Sequence, residues 1–196
     1  MTFDELVDEV YSITNRPDLV TETISAVKAA TLKAHRSDFY SKDIFETGVE
    51  FHTLANNQSL DYINLLSNFR ALKYVKRVTN ATDEQGKLFT ILTPDELLDS
   101  YGHNRTDVAY VAGRVLEIKS SLEFRFILLG CYVNPIIRVN AYASWVAEQY
   151  PYAIIREAAR ILFKTIGYDE QSAAYNILVA EEYQLLRSSA LADVGS

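Results

Sequence analysis

The sequence predicts an α+β fold: mainly a helical bundle formed by N- and C-terminal helices, with an inserted antiparallel β-rich domain. Three observations predict it. Apolar residues recur with helical spacing from Phe3 to about Ser37 and again after Tyr142. Between those regions the period changes to alternation, the mark of half-buried strands. The helices within each region are joined by short connections, which imply antiparallel neighbours. The expected division is 1–40 plus 141–189 for a discontinuous bundle, 41–140 for the insertion and 190–196 for a flexible tail.

Thr2 and Glu5 make a capping box that starts the first helix. Phe3, Leu6, Val7, Val10, Ile13 and Thr14 form its buried stripe. Pro17 pushes Arg16 out of the helical region and ends it. Asp18 caps a second helix to about Ser37, with Val20, Ile24, Val27, Thr31 and Ala34 along one side. Phe45, Val49 and Phe51 then alternate with Glu46, Glu50 and His52. Leu60–Val78 is ambiguous: Tyr62, Leu65, Leu66, Phe69 and Leu72 have helical spacing, yet a strand from about Arg70 would complete the sheet. Thr93-Pro94-Asp95-Glu96 is a second capping box, so PDELLDSYG reads as a short helix. Ala112-Gly113-Arg114 and Ser120-Ser121 read as hairpin turns, and Leu122, Phe124, Phe126 and Leu128 as one strand face. Pro151 opens the most buried helix, through Ile166, and Gly167 stops it. Asp169 caps the last helix, which runs to about Ser188 with Ala174, Ile177, Leu178 and Leu185 as its inner stripe.

Composition narrows the function classes. The 196 residues carry a net charge of -7, which argues against generic binding to a nucleic-acid backbone. The single cysteine, Cys131, excludes an internal disulfide. Acids stand where the basic region of a signal peptide would be, and the apolar run Phe126–Val133 is far short of the roughly 20 residues of a membrane span. Tyrosine is unusually frequent, 13 against 9 Phe and 1 Trp; its apolar body and polar tip suit surfaces that meet other proteins.

No nucleotide-binding, zinc-protease or serine-hydrolase motif occurs, and neither cofactor nor metal is expected. Cys131 lies in the apolar run LLGCYV without a basic neighbour, so its thiolate is disfavoured. His35, His52 and His103 read as surface residues, and the pairs Glu181-Glu182 and Asp83-Glu84 as solvated acids. Three charge patterns carry more information. Asp4, Glu5, Asp8 and Glu9 put four acids on the outer face of the first helix. Arg156, Arg160 and Lys164 form a basic stripe at i, i+4, i+8, and Arg70, Lys73, Lys76 and Arg77 form a third cluster. An acidic strip meeting the 156/160/164 stripe of an adjacent copy would be a heterologous contact, the kind that closes into rings.

ILTPDELLDSYGHNRTDVAYVAG (91–113), LLGCYVNP (128–135) and YPYAIIREAARILFKTIGYDEQSAAYNILVAEEY (150–183), after DELVDEVYSITNRPDL (4–19), resemble the head–tail adaptor (connector) proteins of short-tailed bacteriophages, over about residues 2–189. The resemblance implies a structural virion protein without enzymatic activity. It would form a dodecameric ring under the portal protein, extend the DNA channel without binding DNA specifically, and provide the platform for the tail nozzle or tube. It implies a place at the head–tail interface of the virion, reached from the host cytoplasm, with no membrane partner. It assigns portal docking to the C-terminal stretch, here Leu185, Leu186, Arg187, Leu191 and Val194. Two other functions compete with it: a DNA-binding packaging factor using Arg70, Lys73, Lys76 and Arg77, and a particle-borne cell-wall hydrolase, for which no carboxylate pair identifies itself.

Overall fold

The Thr2–Glu5 box starts the first helix as its sequence requires: Thr2 Oγ1 accepts from the Glu5 N–H, and Glu5 Oε2 accepts from the Thr2 N–H at 2.8 Å. This helix, α1, spans Phe3–Thr14 and buries Phe3, Leu6, Val7, Val10 and Thr14. The computed structural model describes residues 1–79, 86–98 and 102–192. Their contacts divide the chain into two compact units, Met1–Asp43 with Asn134–Ser196, and Ile44–Val133.

The first unit is helical. Helix α2 spans Val20–Arg36. Asp18 does not cap it: Leu19 holds the N-cap position, and the Asp18 carboxylate instead receives two bonds of 2.8 Å from Arg16. Val20 is exposed, while Ala26, Val27, Ala30, Thr31, Ala34 and His35 are buried. In the second unit β1 (Ile44–Asp61) leads through a one-turn helix α3 (Tyr62–Leu65) into β2 (Phe69–Val78), so the ambiguous Leu60–Val78 segment holds both. Two short strands follow, β3 (Lys87–Leu88) and β4 (Thr90–Ile91), then β5 (Val108–Ala112) and β6 (Val115–Val133). The chain returns to the helical unit with α4 (Trp145–Gln149), α5 (Pro151–Thr165) and α6 (Asp169–Ala192). Helix α5 packs against α1, α2, α4 and α6, which makes it the centre of its unit.

The expected class is overturned. The chain is mixed α/β, with a six-stranded sheet curled into a nearly closed, barrel-like form, and not a mainly helical bundle with an insertion. Nor is the sheet wholly antiparallel, since β4 pairs with β5 in parallel. The reason lies in β6. It runs unbroken through Ser120-Ser121, which is not a turn, and pairs with β1 along one edge and with β5 and then β2 along the other. The register slips between Glu50 and Asn57 on the partner strand, where the sheet bends. The slip also changes the inward face: Phe124, Ile127, Leu129 and Cys131 are buried, while Leu122 is exposed. Asp107 holds the bend. Its carboxylate accepts from Ser120 Oγ, from the Ser121 N–H and hydroxyl, and from Lys87 Nζ at 2.7 Å. Burial raises its affinity for a proton, but the bonds from Lys87 and Ser121 outweigh this and hold it well below the usual carboxylate range.

Gly113, at φ +62°, turns β5 into β6 as the sequence predicts. The second capping box forms, but among the described residues it starts only a 3₁₀ turn, Pro94–Glu96, and Leu98 bridges Asn104; Asp99, Ser100 and Tyr101 of the expected helix lie outside the described residues. Gly130 sits on β6 where a Cβ would overlap the Tyr74 ring from β2. Gly130→Ala is therefore expected to destabilise the sheet unit by about 1–3 kcal/mol, read as a lower urea midpoint at unchanged slope. A stability equal to wild type would show that Tyr74 can move aside freely.

Candidate functional site

Two buried polar networks shape the helical unit. In the first, His35, predicted at the surface, is 2% exposed. Its Nδ1 lies 2.7 Å from Asp43 Oδ1 and its Nε2 lies 2.9 Å from Ser144 Oγ. The order of atoms is that of an Asp–His–Ser relay. The serine, however, is the N-cap of α4 and accepts from the Ala147 N–H at 3.1 Å, and Trp145 Nε1 donates to the same Asp43 oxygen at 2.7 Å. The rings of Tyr40 and His35 pack edge-on against Trp145. All three relay members are buried, so the network ties the end of α2 to the start of α4.

The second network was not anticipated. Glu157 on α5 is fully buried and receives both Nε and Nη2 of Arg160, at 2.9 and 2.7 Å, and Lys33 Nζ at 2.7 Å. Burial alone would raise its pKa; the bonds from Arg160 and Lys33 outweigh it and lower it. A sequence signal existed: Glu157 lies on the apolar face marked by Ile154, Ala158 and Ile161.

This network rearranges the predicted charge pattern. The stripe Arg156, Arg160 and Lys164 is not one free surface. Arg160 is committed to Glu157, and Arg156 pairs with Glu182 on α6 at 3.0 Å, leaving only Lys164 exposed. The cause is that Arg156 meets an acid of α6, while Arg160 is drawn to the buried Glu157 one turn before it on α5. The acidic strip stands as expected, with Asp4, Glu5, Asp8 and Glu9 all exposed on α1. Of the middle cluster, only Lys73 is exposed; Arg70, Lys76 and Arg77 are half-buried, and Arg77 donates to Ser120 Oγ.

A groove of about 590 Å³ runs between α2 and α6. Ala29, Leu32 and the ring of Tyr183 give it an apolar floor, and Lys33, Arg36 and Arg187 a cationic rim. Lys33 Nζ lies 5.6 Å from the centre of the Tyr183 ring. Arg187 Nη2 donates to the Ser37 carbonyl, which fixes the end of α6 to the end of α2. The Tyr183 hydroxyl is buried without a hydrogen-bond partner among the described residues, and burial pushes its pKa far up, so it stays a neutral phenol.

The inner stripe of α6 is Ser172, Val179, Tyr183 and Leu186, not the predicted one. The predicted inner residues face outward: Ile177 is 66% and Leu185 52% exposed, Ala174 is exposed, and Leu178 is half-buried. The proposed portal set is thereby split. Leu186 is in the core and unavailable to a partner. Arg187 lies two residues from Leu185, roughly 200° around the helix, and belongs to the groove. Leu191 lies within α6, which runs through Ala192 where a tail was expected; Val194 lies outside the described residues, as do Asp83 and Glu84.

Cys131 is buried and its thiol is pushed up to about 12 by burial, so it is inert as a nucleophile at neutral pH. Among the described residues no three His, Cys, Asp or Glu side chains are placed to hold a metal ion, and no helix is long and apolar enough to cross a membrane. A comparison with protein-family models finds no match, and neither does one with curated proteins.

Proposed function

We propose that the chain is a structural subunit of a phage head–tail connector, a head-to-tail adaptor that assembles as a dodecameric ring under the portal protein. The ring would extend the DNA channel and carry the tail nozzle or tube. The resemblance of its opening, middle and C-terminal strings supports this reading, and one structural observation carries it. Helix α6 is apolar on two faces. Val179, Tyr183 and Leu186 seal the core, while Ala174, Ile177 and Leu185 stand on the outside. Ile177 and Leu185, on either side of exposed Glu181, each forgo about 1.5–3 kcal/mol relative to burial by standing in water, and large apolar side chains left exposed along one helix suit a protein contact. In the adaptor that contact is the portal, so the docking residues are Leu185 with Ile177 and Ala174.

Truncating the chain after Leu185 is a poor test, because it removes the core residue Leu186. The double variant Ile177→Glu, Leu185→Glu touches exposed positions only. It is expected to keep the wild-type circular dichroism and melting temperature while losing capture by purified portal protein. Electron microscopy of wild-type chain mixed with portal is expected to show a coaxial ring. Portal capture undiminished in the double variant would remove α6 as the docking face; no ring on the portal would remove the adaptor reading itself.

A further inference from the structure

Arg36 and Arg187, which rim the α2–α6 groove, are held by neutral oxygens: Arg36 Nε donates to Asn134 Oδ1 at 3.0 Å and Arg187 Nη2 to the Ser37 carbonyl at 3.2 Å. These bonds orient the guanidinium groups without cancelling their charge. Lys33 adds a third cation, shared with Glu157. The groove is therefore a positive site with an apolar floor on a protein whose net charge is -7. The matching surface is on the same chain. Asp4, Asp8 and Glu9 are exposed on α1 and have no ion-pair partner among the described residues. From Asp4 to Glu9 the strip extends about 7–8 Å along the helix. Exposed Met1 stands beside Asp4 and Glu5 and offers an apolar side chain to the floor of such a groove.

We propose that the groove between α2 and α6 receives the acidic face of α1 from a second copy of the chain. The two surfaces share no residue, so each copy offers both, and the contact is heterologous: it propagates head to tail and closes into a ring if the rotation permits. It replaces the pairing with the 156/160/164 stripe, whose arginines are already neutralised within the chain. Like charges facing one another outside the contact cost energy, which fixes direction as well as partner. The proposal rests on the self-association that the ring reading requires.

Cross-linking tests it directly. Cys131 is buried, so two introduced thiols are the exposed ones among the described residues. Ser12→Cys extends the acidic strip by one turn and Ala29→Cys lies in the groove; both positions are exposed, and neither substitution alters a charge. Mixing the two single variants under mild oxidation is expected to give a covalent dimer, and a chain carrying both a ladder of higher oligomers. Salt of about 1 M, where the Debye length falls to about 3 Å, is expected to cut the yield on the order of tenfold. Arg36→Glu with Arg187→Glu is expected to abolish the product, and adding Asp8→Arg with Glu9→Arg on the Ser12→Cys chain to restore it. No intermolecular product, or a product indifferent to salt and to charge reversal, overturns the contact. A ring that still docks on the portal while this cross-link fails leaves the adaptor reading standing with a different subunit contact. A ladder without portal docking keeps the contact and removes the adaptor.

Discussion

Replacing Glu157 by alanine is expected to destabilise the helical unit by about 3–5 kcal/mol, because Arg160 is left largely buried beside no anion. Glu157→Gln should cost less, since the amide oxygen still accepts one bond and the volume is kept. Lys33→Met should cost under about 1 kcal/mol, because the lysine end of the pair is half exposed and screened. Urea unfolding followed by circular dichroism reads all three. Equal losses for Glu157→Ala and Lys33→Met would show that the buried charge is not what matters. The same carboxylate sets an acid limit. Its pKa is lowered in the folded state, so the unfolded chain takes up the proton first as pH falls. Its stabilisation is complete above the unfolded carboxylate value, about 4.3, and is lost as pH falls through the folded value. Between neutral pH and pH ~3, wild-type stability is expected to fall more steeply than that of Glu157→Gln; parallel curves would refute the linkage.

The second large effect is at His35. His35→Ala removes one of the two hydrogen bonds at each of two buried atoms, Asp43 Oδ1 and Ser144 Oγ, and opens a cavity beside Trp145. The expected loss is about 2–4 kcal/mol. Ser144→Ala, which deletes a helix cap and one of the histidine's two bonds, should cost about 1 kcal/mol. Trp145 is the chain's single tryptophan and donates to Asp43, so its fluorescence reports on the network without a label. A His35→Ala chain with unchanged emission and stability would show that the network is incidental to the fold.

Much of the helical unit was legible locally. The Thr2–Glu5 box, Pro151 at the start of α5 and Gly167 after it are signals read by the backbone within one turn, and each falls where its local chemistry requires. The alternation in the middle of the chain was legible as strands, but not the course of β6. Ser120-Ser121 resembles a turn, and groups distant in sequence hold those residues within the strand: the Asp107 carboxylate from just before β5, Arg77 from β2 and Asn56 from β1. Burial phase was the weakest part. Helix α6 carries apolar residues on two faces, so periodicity offers two stripes and cannot choose between them; α5 and α2 make the choice by covering Val179, Tyr183 and Leu186. The candidate site suffered the same way. The acidic strip on α1 is contiguous in sequence and was found, while the groove needs α2 and α6, some 150 residues apart in the chain.

By itself the sequence determined where α1 starts and where α5 starts and stops, that the middle is mostly strand, that Cys131 lies in an apolar setting, and that α1 carries an acidic outer face. These depend on capping, periodicity and charge within a few residues of one another. Only the tertiary structure decided that the sheet curls upon itself, that His35 and Glu157 are interior, that the two arginines of the basic stripe are paired within the chain, and which apolar side chains of α6 are left outside. Those outcomes follow from which distant surface arrives to exclude water, and no local pattern encodes that.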